Sequence, residues 1–294
     1  MKLEKLKGHS GCEILLYRSK GHNFVRKISP NKKYNERLSK QCKKQCLWNN
    51  DISCVPEVIN TGYKNGLFYF DMEYVLGSTL SSLLTEDQLD IDEVVDFVVS
   101  HYKLQYQEKL ESNDVKNAYC NKIDELNALK HKFPFVKNLD HALDLLINNF
   151  TAPQYTTIVH GDMTLENLIK SKKDNKIYMI DFLDDYSNGL YTDISKIFQD
   201  ILGGWSFFDR HEYVPPKNQS NISVRLLDMR KKIISETLKI DNNERFLESI
   251  LYVLLINYIR IIPYIQNNHV YLFIDQKLEE TINMLLNDDL IFIR

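Results

Sequence analysis

Three polar residues at fixed spacing stand out in this 294-residue chain. Asp162 follows His160-Gly161 after the apolar pair Ile158-Val159, Asn167 comes five residues later, and Asp181 ends the apolar run Ile177-Tyr178-Met179-Ile180. Read as strand–loop–strand, this pattern sets two carboxylates and one amide on loops at neighbouring strand ends. Phosphoryl transfer asks a protein for ligands that hold metal against phosphate oxygens, and for a carboxylate that orients and deprotonates the attacking hydroxyl. Asp162 suits the second task and Asp181 suits metal bridging of the phosphates. Asn167 offers a neutral oxygen to a second magnesium ion, which prefers hard oxygen donors. Asp and Asn are common turn formers, so each residue alone says little. The spacing of the whole set carries the reading.

His160-Gly-Asp162, Asn167 and Ile180-Asp181-Phe182 together resemble the catalytic and metal-binding loops of the aminoglycoside phosphotransferase and choline kinase superfamily, relatives of the protein kinases. Protein kinases carry Arg before the catalytic Asp and Gly two residues after the metal Asp. Here Gly161 and Leu183 occupy those places, and nothing like Ala-Pro-Glu follows. The departures favour the small-molecule branch over a protein kinase. The resemblance implies an α+β, bilobal, protein-kinase-like fold with a small β-rich N-lobe (1–75) and a larger helical C-lobe (76–294). It implies ATP and Mg2+ as cofactors, Asp162 as base, and Asn167 and Asp181 as metal ligands. Retention of Lys27, Asp162, Asn167 and Asp181 together speaks against a catalytically silent pseudokinase-like protein.

The elements that must position these residues follow from pattern. Glu13–Tyr17, Phe24–Ile28, Val55–Ile59 and Leu67–Tyr74 read as strands, with turns at Lys20–Asn23 and around Gly62 to Gly66. Tyr34–Trp48 reads as a lysine-rich helix. After Gly77 the pattern turns helical, with apolar residues at three- and four-residue steps such as Val94, Val95, Val98 and Val99. The 158–182 segment is a short β-loop-β island. From Thr192 onward the chain is helical again, broken at Gly203-Gly204 and Pro215-Pro216.

In the first lobe the resemblance calls for a strand lysine on the nucleotide phosphates. Alternation puts Val25 and Lys27 on one face and Arg26 on the other, which favours Lys27. The family pairs this lysine with a helix glutamate; here Glu36 lies early, and Gln41 or Gln45 fits the count better. The Lys7–Gly11 turn could bring backbone amides and the Ser10 hydroxyl to phosphate. Asp71–Gly77 resembles the inter-lobe hinge, where backbone atoms of Glu73 to Val75 would meet adenine.

On the acceptor side, Asp193 matches an aspartate that opens a helix as its N-cap and braces the catalytic loop. Asp184, Asp185, Asp200 and Asp209, with Trp205, Phe207, Phe208 and Tyr213, make the region acidic and aromatic. Such a lining would draw a cationic acceptor, an amino sugar or an amino alcohol such as choline, through charge and cation–π attraction; a neutral sugar or polyol suits it equally. Surface-polysaccharide or cell-envelope metabolism is one setting for such a kinase.

Bulk composition is that of an ordinary soluble globular protein. The formal net charge is −3, with no long run of one sign, so nothing points to nucleic acid. The five cysteines, irregularly spaced, read as reduced thiols of a cytoplasmic protein, with Cys42 and Cys46, four apart on one helix face, as ordinary buried or half-buried thiols rather than metal ligands. The N-terminal residues have no signal-peptide core, and Ile250–Ile265 is interrupted by Asn257, Arg260 and Pro263, so membrane insertion is not expected.

Overall fold

The computed structural model describes residues 2–6, 11–18, 22–49, 52–183, 186–208, 219–243 and 245–286. In chain order come β1 (Lys2–Leu6), β2 (Glu13–Arg18), β3 (Asn23–Ile28), α1 (Asn35–Leu47), β4 (Val58–Lys64), β5 (Leu67–Glu73) and β6 (Gly77–Thr79). Then follow α2 (Leu80–Thr85), α3 (Ile91–Gln107), β7 (Leu110–Glu111), α4 (Asn113–Leu129), α5 (Leu139–Asn149) and β8 (Tyr155–Thr156). The last are β9 (Leu168–Ser171), β10 (Ile177–Met179), α6 (Thr192–Ile201), α7 (Gln219–Ile240), α8 (Phe246–Ile259) and α9 (Asn268–Leu286). The chain divides into two compact units, one of residues 1–80 and 167–184, the other of residues 81–166 and 185–294.

The first unit is built on an antiparallel sheet of order β1-β2-β3-β5-β4. Its β-branched and aromatic strands turn Leu16, Val25, Phe68, Phe70 and Met72 onto one face, where Leu38 and Cys42 of α1 cover them. Asn35 at the start of α1 clips the helix to the β4–β5 turn, donating to the Gly66 carbonyl at 2.9 Å and accepting from the Phe68 amide at 2.9 Å. That turn is Asn65-Gly66, both left-handed (φ 54° and 76°), as a two-residue hairpin of this twist requires. The strand expected at Val55–Ile59 starts later, at Val58, and runs through Gly62. Pro56 has no N–H for a ladder, and its carbonyl takes the Gln45 side-chain amide instead (2.7 Å).

A second sheet of the same unit, order β10-β9-β6, joins the segment around 170 to the end of β5. Gly77 is required at this crossing, since a Cβ there would lie 2.1 Å from the Lys170 carbonyl oxygen. The Lys172 amide donates to the Leu76 carbonyl (2.8 Å) and the Met179 amide to that of Cys54 (2.8 Å).

Among its described residues, the regular elements of the second unit are helices apart from the short β7–β8 pair. All ten residues of α6 are buried, and α8 is buried along most of its length. Phe246–Tyr264 is long and apolar enough to cross a membrane by composition, yet 72% of it is packed inside the protein, as a core helix would be. Cys42 is buried as expected, whereas Cys46 is exposed, a correction to the expectation of a buried or half-buried thiol there; none of the five cysteines forms a disulfide.

Candidate active site

In the first unit, β3 runs down the middle of the sheet and presents alternate residues to opposite faces. Lys27 points to the α1 side and is buried. Arg26 points to the other face, where it grips Asp71 with two hydrogen bonds (2.6 and 2.8 Å) and lies over the Tyr69 ring (4.1 Å to the centroid). Arg26 is thereby committed to the sheet, and Lys27 is the residue available for chemistry.

Lys27 Nζ forms an ion pair with Asp181 and lies 3.5 Å from Gln41 Oε1. Of the three helix residues considered, Gln41 is therefore the partner. Glu36 is exposed and pairs with Lys40 along its own helix, and Gln45 is spent on Pro56. Burial is the largest single influence on Lys27 and opposes its charge. The charge and hydrogen bond of Asp181, with smaller help from Cys12 and Tyr34, outweigh it and raise the ammonium above its ordinary value of 10.5.

Asp181 is delivered by the β9–β10 hairpin. The Ile180 amide donates to the Asn167 carbonyl at 3.0 Å, which draws the two loops together at one end of the hairpin. Asp181 itself sits at φ 64°, a left-handed conformation that side chains other than glycine adopt at a cost of about 1–3 kcal/mol and that clusters at functional sites. Its neighbours hold it there. Phe182 packs edge-on against Trp48 of the α1 C-cap (5.1 Å between centroids), and Lys44 of α1 donates to the Leu183 carbonyl (2.8 Å). The Asp181 side chain is 29% exposed, against 4% for Lys27.

Asn167 and Asp181 are hard oxygen donors and fit a magnesium ion. Among the described residues no group of three or more His, Cys, Asp or Glu side chains gathers into a cage.

Glu73 pairs with Phe24 in the β3–β5 register, whereas Lys27 pairs with Phe70, three residues further along. The two positions are roughly 10 Å apart along the strand. The Glu73 amide is held by the Glu57 carbonyl (2.9 Å), and its carboxylate lies 3.7 Å from Lys173. Val75 follows the end of β5. Ser10 lies outside the described residues, as do Asp184, Asp185, Asp209 and Tyr213.

In the second unit, the loop carrying Asp162 is not fed by the strand expected at Ile158. Only Tyr155–Thr156 pairs as strand, and 157–160 runs as irregular chain. Side chains hold it instead, with Gln105 donating to the Ile158 carbonyl (2.8 Å). Three charged residues of α6 at positions i, i+3 and i+7 share one helix face and meet the loop in sequence. Asp193 accepts from the His160 amide (2.7 Å), the Gly161 amide (2.7 Å), Gln105 Nε2 (2.8 Å) and His101 Nε2 (3.2 Å). Lys196 Nζ lies 3.1 Å from Asp162 Oδ1. Asp200 accepts from the Leu165 amide at 2.6 Å.

Asp193 thus braces the loop as expected, though as the second residue of α6 rather than as its N-cap, which is Tyr191. Its carboxylate serves the loop amides, not those of its own helix. Burial pushes the Asp193 carboxyl up, but its hydrogen bonds and the nearby histidines prevail and hold it well below the ordinary range. For Asp200 the balance reverses. Burial dominates, the charge of Glu166 adds to it, and the Leu165 and Ser206 donors only partly compensate, leaving its pKa at about 7. Asp200 is buried and turned into the loop, so it does not line an acceptor site, contrary to the sequence reading. For Asp162 burial is again the largest influence and raises the pKa. Lys196, Arg260 and His160 outweigh it, and the carboxyl stays ionised below its usual range.

Sequence reasoning missed Lys196, Gln105 and His101. Lys196 carried a readable signal, because it lies one turn after Asp193 on the same face.

The comparisons with known proteins add the fold. A fructosamine-3-kinase assignment from Haemophilus somnus 129PT superposes with a TM-score of 0.55 at 17% identity, covering 97% of this chain and 91% of that one. Aminoglycoside phosphotransferase APH(4)-Ia, as a thermostable mutant with AMP-PNP and hygromycin B, gives 0.64 at 12% identity over 96% and 93%. This chain has the fold of the aminoglycoside phosphotransferases. Unmutated APH(4)-Ia gives 0.59, again at 12% identity. No protein-family model and no curated protein matches at the level of sequence. The α+β, kinase-like class expected from the loops is therefore the one found, with an antiparallel sheet first and a mostly helical remainder.

Proposed function

We propose that the chain is an ATP-dependent small-molecule kinase that transfers the γ-phosphoryl group of ATP to a hydroxyl of a small acceptor. The observation that carries this reading is the ion pair of buried Lys27 with Asp181. A strand lysine and a loop carboxylate meet there, on a fold shared with proteins whose structures hold AMP-PNP or ADP together with hygromycin B. In this reading Lys27 holds the nucleotide phosphates, and backbone atoms of Glu73 to Val75 take the adenine. Asn167 and Asp181 would hold Mg2+, which when bound supplies positive charge to the phosphate oxygens. Asp162 orients the acceptor hydroxyl and takes its proton.

A sugar, an amino sugar or an amino alcohol remains the acceptor class, with a cytoplasmic setting. Among the described groups acting on Asp162, Lys196 and Arg260 are cations, and Asp200 is occupied by the loop. These neighbours favour a neutral sugar or polyol over a quaternary ammonium.

The test is ATP consumption across a panel of sugars, amino alcohols and aminoglycosides. Asp162→Asn and Asp181→Asn should each lower turnover at least about 10³-fold. Asp181→Asn is preferable to Asp181→Ala because it keeps the shape beside buried Lys27, whose charge would otherwise be stranded. Full activity in Asp181→Asn would sink the reading.

A further inference from the structure

We propose that Lys196 is the positioning residue of Asp162, setting the orientation and charge of that carboxylate from the neighbouring helix. The proposal rests on the reading of Asp162 as the base. Lys196 is buried, with a side-chain exposure of 3% against 33% for Asp162. Burying an ammonium is costly unless it is paired and hydrogen-bonded. Here its nitrogen meets two oxygens, Asp162 Oδ1 at 3.1 Å and Gln199 Oε1 at 3.1 Å. Gln199 lies on the same helix, three residues on, so the ammonium is anchored to α6 and cannot swing with the loop.

The loop is fixed on either side of this contact. Asp193 holds the amides of His160 and Gly161, and Asp200 holds that of Leu165. Between those two clamps Lys196 meets Asp162 from α6. Fixing one carboxylate oxygen sets the plane of the carboxylate and therefore the direction in which the group can receive a hydroxyl. In phosphoryl transfer, positioning of this kind outweighs proton abstraction. Arg260, at the C-cap of α8, and His160, in the loop itself, also act on Asp162. His160 Nδ1 accepts the Asp162 amide (3.2 Å).

The experiment combines MgATP turnover, read as ADP release with water and with glucose as acceptors, and NMR titration of the Asp162 carboxyl. Lys196→Gln, which keeps a hydrogen bond but removes the charge, should lower kcat about 10²-fold with the KM for ATP within about threefold of wild type. The Asp162 titration and the acid limb of kcat should both move to higher pH. Lys196→Arg should restore the acid limb and most of kcat. A purely structural lysine would change the melting temperature alone, and wild-type kcat and acid limb in a folded Lys196→Gln overturn the proposal. In the unsubstituted protein the Lys196 ammonium resonance should follow the Asp162 titration, and its indifference overturns the proposal whether or not the variants fold. Asp162→Asn separates the two readings: if it keeps full turnover, the base assignment falls, independently of what Lys196 does.

Discussion

Asp193 is the side chain whose replacement should be felt most in the second unit. Its Oδ1 receives one amide, Gly161, while Oδ2 receives the His160 amide, Gln105 Nε2 and His101 Nε2. Asp193→Asn offers only one acceptor oxygen. The least damaging arrangement turns the new NH2 towards Gly161 and leaves that buried amide unpaired, at about 1–3 kcal/mol. The other three bonds survive but lose charge assistance, at about 1 kcal/mol each. The total is about 4–6 kcal/mol, comparable to the whole stability of many domains. Denaturant unfolding measures it, and amide hydrogen exchange at His160 and Gly161 locates it. The pH dependence supplies a second check. The folded pKa of Asp193 lies below its ordinary value of 3.8, so its contribution is fully present above that value and lost as pH falls below it. Asp193→Asn should lack this acid-side loss. A change under about 1 kcal/mol, with the two amides still protected, would refute the network as drawn.

Two further outcomes are expected. Asp200 has a folded pKa raised to about 7, so its contribution is present at low pH and is lost as pH rises from 3.8 through 7. The amide resonances of Leu165 and Ser206, which donate to it, should titrate with a midpoint near 7, and a midpoint below 5 would contradict this. Lys27→Met should cut ATP turnover by about 10²–10³-fold, and Gln41→Leu by no more than about tenfold. The asymmetry follows because Asp181, not Gln41, carries the charge opposite Lys27. Equal losses in the two variants would contradict it.

Much of this arrangement was legible in the residues. Lys27 followed from strand alternation, and the Asn167–Asp181 spacing placed both beside one hairpin. Less was readable where the decisive quantity was packing. The phase of α1 against the sheet decides between Glu36, Gln41 and Gln45, and phase depends on how Leu38 and Cys42 seat on the strands. β4 was misplaced because it is an edge strand whose exposed residues, Ile59 among them, show no apolar alternation. Ile158-Val159 looked like a strand because it is apolar, yet Val159 is buried while Ile158 is exposed and neither joins a ladder. Asp200 was misassigned because an acid near aromatics resembles a binding surface, whereas all ten residues of α6 are interior.

The crossing of β6 with β9 also bears on how the chain is made. β6 ends at Thr79 and its partner strand begins at Leu168, about ninety residues later. At ordinary elongation rates of about 5–20 residues per second, roughly 4–18 s pass before the ribosome supplies that partner and Asp181 behind it. Until then the carboxylate that Lys27 pairs with in the folded protein is missing. The first eighty residues therefore emerge as an unfinished unit with a buried cation still to be neutralised. A fragment ending at residue 80 should inherit that condition permanently.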